Sequence, residues 1–211
     1  MTQVEKLHDA IVNGDRDTAV AVTGEALGRS ADPQILIDEA MIPAMGEVGR
    51  RFENDEYFVP ELLLSARAMK AALELINPKL RASGAAAKGR VVLGTVKGDL
   101  HDIGKNLVSA MLEGAGFEVT DLGTDVAPEQ FAEAVAEHDA DLLGLSALLT
   151  VTMPSMRATI DALEKAGLRD RVKVLVGGAP LSDAYADEIA ADAYADNASS
   201  AVRAAQQLME S

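Results

Sequence analysis

An α/β fold preceded by an all-helical front half is what the sequence predicts, on three observations. From Arg90 onward, short apolar runs alternate with segments of helical periodicity. Before about Leu80, no run reads as a strand. Between the two, Arg81 to Gly89 is small, polar and weakly patterned, the composition of a linker. Strand–helix alternation implies a parallel sheet covered on both faces, and helices joined by short turns imply a bundle.

The front half reads as four helices over residues 1–80, a helical-bundle cap. Gln3 to Val12 and Arg16 to Leu27 carry apolar residues at helical spacing, and Asn13-Gly14-Asp15 breaks between them. Asp32-Pro33 supplies an N-cap and a proline in the first turn. The third helix runs on through Ile37, Met41, Met45 and Val48 until Asn54-Asp55. The fourth runs from about Val59 to Ile76, where Asn77-Pro78 is expected to stop it. Met41, Met45 and Met69 fit the core of this bundle better than a ligand contact.

The remainder, 90–211, reads as five strand–helix units. Strands are expected at Arg90–Val96, Glu118–Leu122, Leu142–Ser146, Val172–Val176 and Ala193–Tyr194. Helices are expected at Gly104–Glu113, Pro128–His138, Pro154–Ala166, Leu181–Ile189 and Ser199–Met209. The default order for five such units is flavodoxin-like (Rossmann-type), 2-1-3-4-5.

Composition removes several function classes. The chain has no cysteine, which excludes disulfides, thiolate zinc sites and a cysteine nucleophile, and fits a cytoplasmic protein. Met1 to Asn13 does not read as a signal peptide, and no apolar run is long enough to span a bilayer. The net charge is −15 with no basic cluster, which argues against nucleic acid or an anionic membrane as partner.

The chemistry-bearing segment is Gly98-Asp99-Leu100-His101-Asp102-Ile103-Gly104-Lys105-Asn106. It falls on the loop after the first strand, at the sheet edge where open α/β folds bind ligands. An isolated Asp-x-His at a strand end is also often a satisfied polar loop. A phosphate loop is excluded, because five residues separate Gly98 from Gly104-Lys105 and Asn106 follows. A zinc or two-metal site lacks ligands: the other histidines, His8 and His138, read as surface residues. No Gly-x-Ser-x-Gly elbow supports a hydrolase triad. One role fits a solitary histidine well, a single axial bond to a metal already held by its own organic ring. A carboxylate on the second imidazole nitrogen would then fix the tautomer, and Asp99 is placed for it.

At these residues the sequence resembles the corrinoid-binding proteins of methyltransferase systems. They include the cobalamin-binding module of methionine synthase and the small corrinoid proteins of methylamine, methanol, glycine betaine and aromatic ether metabolism. The shared signature is Asp99-x-His101-x-x-Gly104, then Ser146-Ala147-Leu148, then Gly177-Gly178, with gaps of 41 and 28 residues. The resemblance covers nearly the whole chain, including the helical front half. It implies cobalamin or a related corrinoid as cofactor, methylcobalamin in the loaded state, with His101 as the lower axial cobalt ligand. Asp99 is its implied hydrogen-bond partner. Thr152 stands where the methionine synthase module has the serine that completes the relay. Asp102, Ile103 and Gly104 are implied to lie against the corrin. Ser146, Leu148, Thr150, Gly177 and Gly178 are implied to line the slot for the displaced nucleotide tail. Phe52 matches a cap phenylalanine over the upper cobalt face, and Val59 stands where that family often has leucine.

The implied activity is that of a carrier subunit in one-carbon metabolism rather than a complete enzyme. Its implied partners are a substrate-specific methyltransferase, a second methyltransferase with an acceptor such as tetrahydrofolate or a thiol, and a reductive activating protein. The Arg81–Gly89 linker is expected to serve as a hinge. Two alternatives share the loop: the cobalamin subunit of an adenosylcobalamin mutase and a cobalamin-dependent sensor. Mutase subunits lack the Phe-Val-Pro segment, and the front helices carry no basic recognition helix for DNA.

Overall fold

The protein is described by a computed structural model covering residues 1–83 and 87–210. It divides into two compact units, Met1–Ala87 with Glu113–Gly116, and Lys88–Leu112 with Phe117–Ser211. Residues 84–86 of the expected linker lie outside the described residues.

The helical unit starts with α1 (Gln3–Val12), opened by a reciprocal capping box. The Glu5 amide donates to Thr2 Oγ1 at 3.1 Å, and the Thr2 amide donates to Glu5 Oε2 at 2.7 Å. α2 (Arg16–Gly28) is capped by Asp15, whose carboxylate accepts the Thr18 amide at 3.0 Å. The turn between them needs glycine. Gly14 sits at φ +67°, and a Cβ there would lie 2.6 Å from Leu64 Cβ.

The third expected helix is not regular. It is α3 (Pro33–Leu36), a π turn over Ile37–Met41, then α4 (Ile42–Glu53). Pro43 is the physical reason: it has no N–H for the Glu39 carbonyl, and its ring would crowd that carbonyl. The wide turn absorbs both defects, with the Ile42 amide reaching back to Ile37 O.

α5 runs from Val59 to Ser83 with Pro78 inside it. The expected stop at Asn77-Pro78 is therefore a correction. One proline removes one hydrogen bond, and the residues that follow, Lys79-Leu80-Arg81-Ala82, are good helix formers. Leu7, Ile11, Met41, Met45, Val48, Leu62, Met69 and Ile76 are buried in this unit. The three methionines are core residues, as their spacing suggested.

The second unit carries β1 (Arg90–Thr95), α6 (Ile103–Gly114), β2 (Glu118–Asp121), α7 (Pro128–Glu137), β3 (Leu142–Ser146), α8 (Pro154–Lys165), β4 (Lys173–Gly177), α9 (Asp183–Glu188), β5 (Ala193–Ala195) and α10 (Ala198–Glu210). The five strands are parallel in the order β2-β1-β3-β4-β5. α9 is shorter than expected because Ser182 caps it, accepting the Tyr185 amide at 3.3 Å. Val92, Val96, Leu143, Leu145, Val174 and Val176 form one buried face, packed with Phe131, Met156 and Ile160 from the helices. The alternate residues Val91, Leu93, Leu142 and Leu175 are buried on the other face.

Because β1 connects outward to β2 while β3 lies on its other side, the loops after β1 and β3 diverge at the carboxyl edge. That is the topological switch point, where a crevice opens in folds of this kind.

Candidate functional site

Two loops build the site. The first, 96–102, leaves β1 through a tight turn in which the Asp99 amide donates to Val96 O at 3.1 Å. Gly98 takes φ +85°, which suits glycine at this turn position. The second, 147–153, leaves β3 and meets the first across the switch point. Asp99 is the joint between them, with its side chain fully buried.

Five donors converge on that carboxylate. The amide of His101 donates to Oδ1 at 3.0 Å, and His101 Nδ1 lies 2.6 Å from the same oxygen. The amides of Leu148 and Leu149 donate to Oδ2 at 2.8 and 3.2 Å. Thr152 Oγ1 is 2.8 Å from Oδ2. It is also 2.8 Å from Leu149 O, and its single proton goes to the carboxylate, the stronger acceptor. Burial alone would raise the pKa of Asp99. The hydrogen bonds outweigh it, and the carboxyl is held well below the usual carboxylate range.

An ionised carboxylate accepts and does not donate, so Nδ1 of His101 carries the proton. In the neutral ring Nε2 then holds the lone pair, and among the described residues no group bonds it. The ring is half exposed. The His101 carbonyl is tied down as well, accepting the hydroxyl of buried Thr95 at 2.8 Å. The imidazole is thus fixed at one nitrogen and open at the other, the arrangement of a metal-ligating histidine.

The other residues singled out from sequence fall around this pair. Asp102 is exposed and accepts the Asn106 side-chain amide at 3.1 Å at the start of α6. Ile103 is 70% exposed, and a Cβ on Gly104 would meet only open space. The Ser146 carbonyl pairs with the Val96 amide at 3.0 Å, and the Gly177 carbonyl accepts the Ala147 amide at 3.2 Å. Gly178 has φ +140°, and a Cβ there would lie 1.8 Å from the Ala147 carbonyl oxygen, so only glycine fits. Thr150 is exposed on the β3 loop. Phe52 and Val59 belong to the helical unit, half-buried and exposed respectively. Sequence reasoning did not find Thr95, Leu149, Asp125 or Lys105. Lys105 is buried, paired with Asp121 and with Asn106 Oδ1 at 2.6 Å. A polar Thr95 inside an apolar strand run was the one local signal.

Exposed apolar side chains lie close to His101 in the chain and on the neighbouring loop. Leu100 and Val151 are 73% and 81% exposed, and with Leu148, Leu149 and Ile103 at the start of α6 they set five exposed apolar side chains on or beside the two loops that carry the histidine and its clamp. Single exposed apolar residues are ordinary, but such a concentration marks a ligand surface. Among the described residues no group of three or more His, Asp or Glu side chains could hold a metal ion. A metal at Nε2 would therefore bring its remaining ligands with it, as a corrin ring does.

Comparison with known proteins agrees with the geometry. Residues 89–205 match the B12 binding domain, and residues 3–77 match a second B12 binding domain model. The dimethylamine corrinoid protein of Methanosarcina barkeri is 44% identical over 207 residues, spanning 98% of this chain and 97% of that protein. A cobalamin-binding protein from Desulfitobacterium hafniense DCB-2 is 34% identical, with 99% of each chain covered and a TM-score of 0.82. A chain of the methanol:cobalamin methyltransferase complex MtaBC from Methanosarcina barkeri is 32% identical, with 99% of this chain and 80% of that one covered and a TM-score of 0.85. With two B12 binding domain models matching its two halves and relatives more than 30% identical over nearly its whole length, the chain belongs to the B12-binding corrinoid proteins associated with methyltransferases.

Proposed function

We propose that this chain carries a methyl group, on the cobalt of a bound corrinoid, from a substrate-specific methyltransferase to a second methyltransferase that passes it to an acceptor such as tetrahydrofolate or a thiol. The observation that carries this reading is the clamped His101, fixed at Nδ1 by an ionised, buried Asp99 and open at Nε2. When bound, the corrinoid supplies a cobalt centre that takes up and gives away a methyl group.

His101 would hold the cobalt through Nε2. Asp99 keeps the proton on Nδ1 and fixes the orientation of the ring. Thr152 and the Leu148 and Leu149 amides keep Asp99 ionised and in place. Ile103 and Gly104 leave a flat, apolar floor beside the histidine, and Asp102 holds the start of α6 through Asn106. Ser146, Leu148, Thr150, Gly177 and Gly178 flank the slot for the nucleotide tail, where close backbone packing at Gly178 excludes any side chain. Residues 1–80 are read as the cap, with Phe52 and Val59 as the apolar side chains that would cover the bound corrinoid. The partners are the two methyltransferases and a reductive activating protein. The MtaBC complex supports the first of these, and the dimethylamine relatives direct the search for the donor to small methylated amines.

The test is methyl uptake. The full chain is loaded with hydroxocobalamin, reduced, and incubated with extract of its own organism and 13C-methyl dimethylamine or methanol. Label that co-elutes with the chain from one donor is the expected result. A chain that binds corrinoid stoichiometrically yet takes label from no donor would overturn the carrier reading and favour a mutase subunit or a sensor.

A further inference from the structure

We infer that Asp125 is a positioning residue for the His101 loop, an assignment that rests on His101 being the cobalt ligand. The segment 122–127, which joins β2 to α7, is laced along the end of β1. The Leu122 amide donates to Leu93 O at 2.8 Å, the Thr95 amide to Gly123 O at 2.9 Å, and the Val126 amide to Thr95 O at 3.0 Å. At the tip of this lacing Asp125 makes contacts that reach past the strand into the ligand loop.

Its amide donates to the Asp99 carbonyl at 3.0 Å. Its Oδ1 accepts the Gly98 amide at 2.9 Å. Lys97 Nζ lies 3.1 Å from Oδ1 and 3.2 Å from Oδ2, which holds the carboxylate over the turn. Both peptide groups that flank the Gly98–Asp99 bond are thereby fixed from the β2 side. Thr152, Leu148 and Leu149 fix the carboxylate of the same Asp99 from the β3 side. Asp99 is held between the two, and its Oδ1 orients the imidazole.

Asp125 adopts φ +56°, a left-handed conformation that glycine takes without strain and that Asp and Asn tolerate better than most residues. A backbone requirement alone would be met by glycine. The carboxylate adds an acceptor for Gly98, whose amide lies inside a turn that offers it no other carbonyl among the described residues. Hydrogen bonding from Gly98 and the Lys97 ammonium also keep the carboxyl of Asp125 in its ionised, accepting form.

The experiment loads the full chain with cob(II)alamin and reads, by electron paramagnetic resonance, the fraction of bound cobalt that shows nitrogen coupling from a protein imidazole. Asp125→Gly keeps the backbone freedom and loses the acceptor. Asp125→Asn keeps an acceptor oxygen and the tolerated conformation. Asp125→Gly is expected to bind cobalamin with wild-type stoichiometry while its imidazole-ligated fraction falls at least twofold, and Asp125→Asn is expected to retain most of that fraction. An Asp125→Gly spectrum equal to wild type, or an Asp125→Asn loss as large as that of Asp125→Gly, overturns the assignment. Amide exchange in the unsubstituted chain tests it independently of folding. The Gly98 amide is expected to exchange at least tenfold more slowly than an unprotected loop amide, and equal rates overturn the assignment. Absence of imidazole coupling in the wild type would overturn the His101 reading and this inference with it, whereas coupling that Asp125→Gly leaves unchanged removes only the inference.

Discussion

Asp99 shows how far hydrogen bonding can reverse the effect of burial on one carboxylate. The Thr152 hydroxyl is one of its donors, and a hydrogen bond to a charged group is worth about 1.5–3 kcal/mol. Thr152→Val keeps the shape and removes the donor, so it should lower unfolding free energy by about 2 kcal/mol in urea titrations. Thr152→Ser should lose less than half of that. A second carboxylate behaves similarly in the helical unit. Hydrogen bonds from Arg50 and Arg51 lower Glu47 to about 2. Glu47 Oε1 lies 2.8 Å from both Arg50 Nη2 and Arg51 Nε. Its folded pKa lies below the unfolded value of about 4.3, so its contribution is present above that value and is lost as pH falls through the folded one. Glu47→Gln should therefore be destabilised against wild type at pH 6, and the gap should close as pH falls from about 5 to about 2. Urea unfolding across that range measures it, and a gap independent of pH contradicts it.

Among single residues, His101 and Asp99 were legible because both lie on one loop two positions apart. Thr152 became legible only through resemblance, since nothing local ties a β3-loop hydroxyl to a β1-loop carboxylate. Asp125 was not legible for the same reason. Its contacts with Lys97, Gly98 and Asp99 exist only because the sheet places the ends of β1 and β2 side by side.

At the scale of elements, the strands were the most readable part. Their apolar runs lie between glycine and polar turns, and each maps onto a strand with shifts of a residue or two. The helices were less so. The third failed to be regular because Pro43 costs a backbone bond inside it, and the fourth failed to stop because Pro78 costs only one. The sheet also contains a contact invisible to periodicity. A Cβ on Gly94 of β1 would lie 2.6 Å from the ring of Phe131, which is fully buried on α7. Overpacking of this kind costs about 1–3 kcal/mol. Gly94→Ala should be destabilised by that amount, and Phe131→Leu should cost less in the Gly94→Ala background than in wild type. A double-mutant cycle reads the coupling, expected at about 0.5–3 kcal/mol. Additive costs would contradict the packing described.

For the whole molecule, charge and composition argue against some classes of partner and identify none. The chain is strongly acidic, and no described helix is long and apolar enough to cross a membrane. The exposed apolar side chains near His101 are the surface on which the proposed corrinoid would bind and change global stability. A ligand at a hundredfold its dissociation constant stabilises the folded state by about 2.7 kcal/mol. Hydroxocobalamin should therefore raise the melting temperature of the wild type by several degrees, and that of His101→Ala by less at the same concentration. Equal shifts would mean that the histidine contributes nothing to binding.

The most direct test of the account is electron paramagnetic resonance of the chain loaded with cob(II)alamin and labelled with 15N-histidine. The account predicts that the nitrogen splitting of the cobalt signal changes from a triplet to a doublet pattern on labelling, and that this label-dependent splitting disappears in His101→Ala. A wild-type splitting that ignores the label, or a label-dependent splitting that survives in His101→Ala, would contradict it.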